Sequence, residues 1–244
     1  MMATVSGFAQ STKVNYLTTF DDKRLHFGFT LGINTLDFGI THYTPIGDNP
    51  NFFPTTWGDQ YEIGSLDTVR SEVSRNVAGF TVGIITSLRL TRDLNLRFLP
   101  GLSFGERRLI YNYPVIDVNE SYVLDNYEYS IKSTFLDFPL LIKYKALRIN
   151  NNRPYVIFGF AYRQDISRTA KEDLVRLKNG GFYAEFGAGW DTYMLFFRFS
   201  MEAKVSIGLN NQLDDPPDHT QRQYYTNSIK RLTSNIFTLS FHFE

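Results

Sequence analysis

In eight separate stretches of this chain, apolar residues recur at every second position. That period places them on one face of a β-strand, because successive side chains in a strand point to opposite sides. The stretches run over about Leu25–Asp37, Ala78–Leu90, Leu94–Arg108, Thr134–Lys145, Tyr155–Asp165, Phe182–Asp191, Leu195–Leu209 and Ile236–Glu244. In the seventh and cleanest, Leu195, Phe197, Phe199, Met201, Ala203, Val205, Ile207 and Leu209 oppose Arg198, Ser200, Glu202, Lys204, Ser206 and Gly208. Ile85 and Thr86 break the pattern of the second. Pro139 falls on the polar face of the fourth, where its missing N–H predicts a bulge or bend. No run of 18 or more apolar residues exists, which excludes a transmembrane helix.

The connections alternate in length. Short ones follow the second, fourth and sixth strands, at Thr91–Asp93, Leu147–Arg153 and Thr192–Met194. Long ones follow the first, third, fifth and seventh, at about Gly39–Arg75, Leu109–Ser133, Ile166–Gly181 and Asn210–Asn235. Outer-membrane barrels segregate their connections this way, with the short turns in the periplasm. An even strand count then places both termini in the periplasm.

Period two does not say which face is inside; a soluble ligand-binding barrel would put the apolar face inward. Three features favour the reverse. The polar face is crowded with Gly, Ser and Thr, which suits the narrow interior of eight strands. Its charges come in both signs, Arg97, Lys143, Arg163, Arg198 and Lys204 against Asp137, Asp165, Glu185, Asp191 and Glu202, so they can satisfy one another away from water. Aromatic residues cluster at both strand ends: Tyr144, Trp190, Phe197, Phe241 and Phe243 toward the short turns, Phe80, Phe104, Tyr162 and Phe182 toward the long loops. Two such girdles are interface anchors. The expected fold is therefore all-β, an eight-stranded antiparallel up-and-down transmembrane β-barrel over 22–244 in a bacterial outer membrane. Residues 1–21 read as a signal-peptide remnant, with cleavage after Ala9 in Gly7-Phe8-Ala9-Gln10, and a periplasmic lead-in. A mean hydropathy of −0.24 does not oppose this, because alternating strands average out. The interior of eight strands, filled by side chains, leaves no continuous aqueous channel.

The composition narrows function further. The 25 basic and 25 acidic residues cancel, so there is no electrostatic ground for a nucleic-acid partner. The absence of cysteine excludes disulfides and thiolate metal sites. Of the four histidines, His26, His42, His219 and His242, the first and last are expected in the lumen near the short turns. There they can serve as an acid–base pair, although packing in a polar network is the preferred reading. Asp214, Asp215, Asp218 and His219 have the ligand type for Ca²⁺ but not the spacing, and Pro216 and Pro217 favour a simple turn. Gly180-Gly181 lacks a phosphate-loop lysine and precedes a strand. The charged run Lys171, Glu172, Asp173, Arg176 and Lys178 reads as a solvated surface or a protein docking site. No nucleophile elbow is present. No catalytic, cofactor-binding or metal-binding residue is expected, and the chain reads as not an enzyme.

Three segments carry a family resemblance. They are Asp22-Lys23-Arg24-Leu25-His26-Phe27-Gly28-Phe29 continuing through Leu31-Gly32-Ile33-Asn34 to Asp37-Phe38; Ser133-Thr134-Phe135-Leu136-Asp137-Phe138-Pro139-Leu140-Leu141-Ile142-Lys143-Tyr144-Lys145; and Arg153-Pro154-Tyr155 through Gly159 to Asp165. Together they resemble the PorT family, small outer-membrane β-barrels of the type IX secretion system, from Asp22 to the C-terminus. The resemblance implies a non-enzymatic component of cargo-protein export, in some hosts also needed for gliding motility. It implies outer-membrane lipid and other secretion-system membrane proteins as partners, and no catalytic residues. A stand-alone barrel for adhesion or surface binding is the alternative, and a lipid-modifying enzyme a distant third, since it would need a lumenal acyl pocket.

Overall fold

The computed structural model describes residues 14–52, 55–57, 61–66, 68–116, 122–167, 177–214 and 226–244. In chain order the strands are β1 (Leu25–His42), β2 (Thr55–Trp57), β3 (Tyr61–Ile63), β4 (Arg70–Asn76), β5 (Ala78–Arg89), β6 (Leu94–Phe98), β7 (Gly101–Ile116), β8 (Tyr122–Lys145), β9 (Asn152–Asp165), β10 (Gly180–Tyr193), β11 (Arg198–Gly208) and β12 (Ile229–Phe243). β2 and β3 pair only with each other. All remaining pairings are antiparallel, and β1 pairs with β5 on one side and β12 on the other. That double pairing closes the sheet. β6 and β7 act as one strand broken at Leu99-Pro100, and β4 runs on into β5, so the ring has eight strands. The fold is an all-β, antiparallel, up-and-down barrel. The stretch Gly7–Gln10 lies outside the described residues.

The bulge expected at Pro139 does not form. Phe98 faces Leu140 and Gly101 faces Asp137, so the register is unchanged across the break. Only hydrogen bonds are lost, because neither Pro100 nor Pro139 has an N–H; the Leu99 N–H still donates to the Pro139 carbonyl at 3.2 Å. Ile85 does not disturb the register either, since Gly28 faces Ile85 and Phe27 faces Thr86 in an unbroken ladder. Ile85 simply points inward, into an apolar cluster with Leu99, Leu141, Tyr155 and Ile157. Tyr155 and Ile157 face Gly189 and Gly187 across the β9–β10 pair. A Cβ at Gly189 would run into the Tyr155 ring, and one at Gly187 would sit 3.0 Å from Ile157 Cγ1. Large side chains opposite none at all fill the narrow interior at this level.

The outward face carries a continuous apolar belt. On β9 it runs from Pro154 through Val156, Phe158 and Phe160 to Tyr162, and on β10 from Phe182 through Phe186 to Trp190. Each row matches the ~9–11 residues of a membrane-spanning strand. Both girdles are present. Phe80 stacks on Phe104 with ring centroids 4.6 Å apart and Tyr162 packs against Phe182 at 5.2 Å, while Phe29 stacks on Phe243 at 4.8 Å at the opposite end.

Much of what reads as long loop is strand. β7 and β8 stay paired out to Ile116 and Tyr122, and β12 starts at Ile229. From Phe104 to Ile116 the hairpin adds ~40 Å of strand beyond the girdle at ~3.3 Å per residue. The alternation is hidden there because its chemistry inverts. Glu106, Arg108 and Lys132 face outward into water, while Phe38, Leu109, Leu232 and Ile229 turn inward. The inward set packs with Ile46, Val69 and Leu213 into a core at the long-loop end. One correction goes the other way. Leu195–Phe197, assigned to the seventh strand by alternation, form a turn closed by the Met194 N–H donating to the Phe197 carbonyl at 3.0 Å, and β11 begins at Arg198.

Candidate functional site: the closed lumen

Because strand parity aims every second side chain at the axis, the charges of β6 and β8–β11 meet inside the barrel. Arg97 donates to Glu202 at 2.7 Å, and the Tyr155 hydroxyl donates to the same carboxylate at 2.9 Å. Lys143 donates to both oxygens of Asp191, at 2.7 and 2.8 Å. Arg163 bridges Asp137 at 3.1 Å and Glu185 at 2.6 Å, and Glu185 also accepts from Lys204 at 2.8 Å and Ser206 at 2.7 Å. Ser103 completes the shell of Asp137. The side chains of Arg97, Lys143 and Arg198 are 0% exposed. A water-filled pore would leave them accessible, so the lumen is closed at these levels. A cavity of about 30 Å³ remains between Thr30, Ser103, Lys204 and His242, enough for one or two waters.

The short-turn mouth is built differently. Its carboxylate comes from the lead-in ahead of β1. Asp21, in a 3-10 turn at Phe20–Asp22, lies 3.2 Å from Arg153, 3.5 Å from Lys145 and 3.6 Å from Arg198, and accepts from the Tyr193 hydroxyl at 2.5 Å. Burial raises the Asp21 carboxyl, but the Tyr193 hydroxyl and the charges of Lys145, Arg198 and Arg153 outweigh it and hold it below its ordinary value. Phe20 stacks on His26 at 4.3 Å and lies beneath the Arg198 guanidinium at 4.8 Å. Upstream, Asn151 accepts from the Tyr16 N–H at 2.9 Å and Arg148 donates to the Tyr16 carbonyl at 2.5 Å. Arg198 also pairs with Glu244, so both ends of the described chain meet at this mouth.

Toward the long loops, Arg107 is buried with no carboxylate in ion-pair range among the described residues. It donates to Ser234 at 3.1 Å and Ser133 at 3.3 Å and sits 4.1 Å over the Phe38 ring. Removing a buried charge is costly when it strands an opposite one, and Arg107 strands none. Arg107→Met is therefore expected to change stability by less than about 1 kcal/mol, read as the shift in urea unfolding in phospholipid vesicles.

The residues singled out by sequence are dispersed. His26 and His242 both point inward near the short-turn end, but Thr30 is what faces His242, whose Nε2 lies 3.4 Å from Glu202. The two histidines are thus not brought together as an acid–base pair, the less favoured reading: His26 packs on Phe20 and His242 lies beside Glu202. His42 bonds Ser71 at the far end of β1. Asp165 does not join the lumenal pairs; it sits at the long-loop rim and accepts from the Ser167 N–H at 2.9 Å. Gly180 and Gly181 open β10. Lys178 and Asp214 are exposed, whereas Lys171, Glu172, Asp173, Arg176, Asp215, Asp218 and His219 lie outside the described residues. Asp21, Arg153 and Tyr193 lie outside the alternating stretches and are the residues that periodicity misses, whereas Glu244 closes the eighth stretch. Asp21 precedes the first alternating stretch, and the one hint of it is that Lys145 and Arg153 leave the inward cations in excess of inward strand carboxylates.

Charges inward, an apolar belt outward and aromatic girdles at both rims define a membrane-spanning β-barrel. Residues 8–214 match the outer membrane protein beta-barrel domain family, and the chain belongs to that family. Among solved structures it is similar to the outer membrane protein OprG from Pseudomonas aeruginosa, at 11% identity over 90% of this chain and 94% of that one, with a TM-score of 0.43. It is similar also to Ail, the attachment invasion locus protein of Yersinia pestis (10% identity, 91% and 98% covered, TM-score 0.34), and to the N-terminal β-barrel domain of Pseudomonas aeruginosa OprF (13%, 87% and 96%, 0.31). No curated protein matches the sequence.

Proposed function

We propose that this outer-membrane barrel works by docking and not by conduction or catalysis, as a non-enzymatic component of the type IX protein secretion machinery. The observation that carries the docking reading is the closed lumen, whose charges are committed to one another. What remains available to partners is the lipid face, the loops and the short turns. The assignment to type IX export, and to gliding motility in hosts that glide, rests on the likeness of 22–38, 133–145 and 153–165 to PorT barrels. In this reading the short turns and both termini face the periplasm, and 1–21 comprises an export-signal remnant and the lead-in to the barrel. Deleting the gene and comparing secreted proteomes tests it. Loss of many unrelated exported proteins, restored by the intact gene, is the expected result; an unchanged set of secreted proteins overturns the secretion role. In that event the long β7–β8 hairpin favours the second reading, a surface-binding or adhesion barrel.

A further inference from the structure

We infer that the short-turn mouth is a receptor for an aromatic–acidic pair of residues, filled in this structure by the chain's own Phe20-Asp21, and that a partner segment carrying such a pair exchanges with it. This inference does not rest on the secretion reading.

The receptor is contributed by the barrel. Lys145 comes from β8, Arg153 and Tyr193 from β9 and β10, Arg198 from β11 and His26 from β1. Lys145 and Arg198 are at most 1% exposed at their side chains. Asp21 is the only carboxylate in ion-pair range of Lys145 among the described residues. Withdrawing Asp21 removes the one counter-charge of Lys145 among the described residues and leaves Lys145, Arg153 and Arg198 as a cluster of three cations that favours an anion. The aromatic half is equally formed: His26, the edge of Tyr193 at 6.3 Å and the Arg198 guanidinium surround the Phe20 ring.

The resident ligand uses one carboxylate oxygen fully, Oδ2 accepting from Tyr193 and Arg153, and the other only loosely. Asp21 Oδ1 accepts no hydrogen bond, and its nearest cations stand 3.5 and 3.6 Å away. The facing Arg198 Nη1 is buried and also lacks a hydrogen-bond partner. The 3-10 turn that carries Asp21 has no buried residue. Its hold on the barrel is thus concentrated in the Phe20 ring, the Asp21 carboxylate, the Arg89 hydrogen bond to the Asp21 carbonyl at 2.5 Å and the Arg148–Asn151 lacing. These contacts are mostly polar and lie at the mouth of the barrel, which permits exchange in an aqueous compartment.

The probe is a synthetic peptide of this chain's Tyr16–Arg24 sequence, bearing a fluorophore, with a control in which its aspartate equivalent to Asp21 is asparagine. Full-length Phe20→Ala/Asp21→Ala protein in detergent micelles is expected to bind the peptide saturably. The asparagine control is expected to bind at least about tenfold more weakly, because charge-assisted hydrogen bonds are lost. Wild type, already filled, is expected to bind far less. Equal binding of both peptides, equal binding by wild type and variant, or no binding overturns the receptor. If the double variant does not fold, hydrogen exchange on wild type decides. Excess peptide is expected to speed exchange of the Phe20–Lys23 amides, the control peptide not, and no difference between the two overturns the proposal.

Discussion

Replacing Glu185 with alanine is expected to destabilise the barrel by about 3–5 kcal/mol, because it leaves buried cations without their counter-charge. Glu185 is 0% exposed and accepts from Arg163, Lys204 and Ser206. Without it Lys204 has no carboxylate in ion-pair range among the described residues, and Arg163 keeps only Asp137. The Arg163 guanidinium is buried at 3% exposure, and Lys204 lines the small lumenal cavity. Glu185→Gln keeps the shape and an acceptor oxygen but not the charge, so its loss should fall between alanine and wild type. Urea unfolding in phospholipid vesicles at neutral pH measures all three. A loss below about 1 kcal/mol for the alanine variant, the range of an exposed ion pair, would show that these charges are hydrated.

The second large effect is expected on the opposite face. Phe186 lies midway along the outward row of β10, between the girdle residues Phe182 and Trp190, and is 53% exposed. With lipid against that row, Phe186→Arg places a cation near the bilayer midplane and should cost about 2–4 kcal/mol. In a barrel of the opposite sense, with water outside, the same change would be a surface substitution worth within about 0.5 kcal/mol. The same unfolding assay therefore separates the two orientations, and a neutral result would reject the lipid-facing belt.

The ring of eight strands was legible because, within the membrane, one physical rule acts on every strand. Lipid admits only apolar side chains, so Phe158, Phe186 and Val205 announce their face as plainly as Arg163, Glu185 and Lys204 announce theirs. Outside the girdles the rule reverses. Glu106 and Arg108 face water while Leu109 and Leu232 turn into a core, and a reader looking for the membrane sense of alternation sees a loop. Apolar parity that flips while the spacing of two persists is the signal that would have extended β7, β8 and β12. Ile85 shows the same limit at one position, since an inward apolar residue breaks the pattern without breaking the ladder. Pro139 was misread for another reason. Its missing N–H lies opposite Leu99-Pro100, where the facing strand is itself short of a donor, so the two defects coincide and no bulge is needed. The lumenal charges could be named from sequence but not paired, because pairing depends on the register across non-adjacent strands, as in Arg97 with Glu202. Asp21 was invisible, for it reaches the lumen from an irregular segment that no periodicity describes.

The most direct measurement of the closed, charge-paired barrel is solute flux through vesicles carrying the refolded protein, by liposome swelling in small neutral sugars alongside single-channel recording. Swelling no faster than in protein-free vesicles, with no steady conductance, is the expected result. A stable conductance or sugar permeation by the folded wild type would contradict it, for it would mean that the lumen holds a continuous water path between Arg97, Lys143 and Arg163.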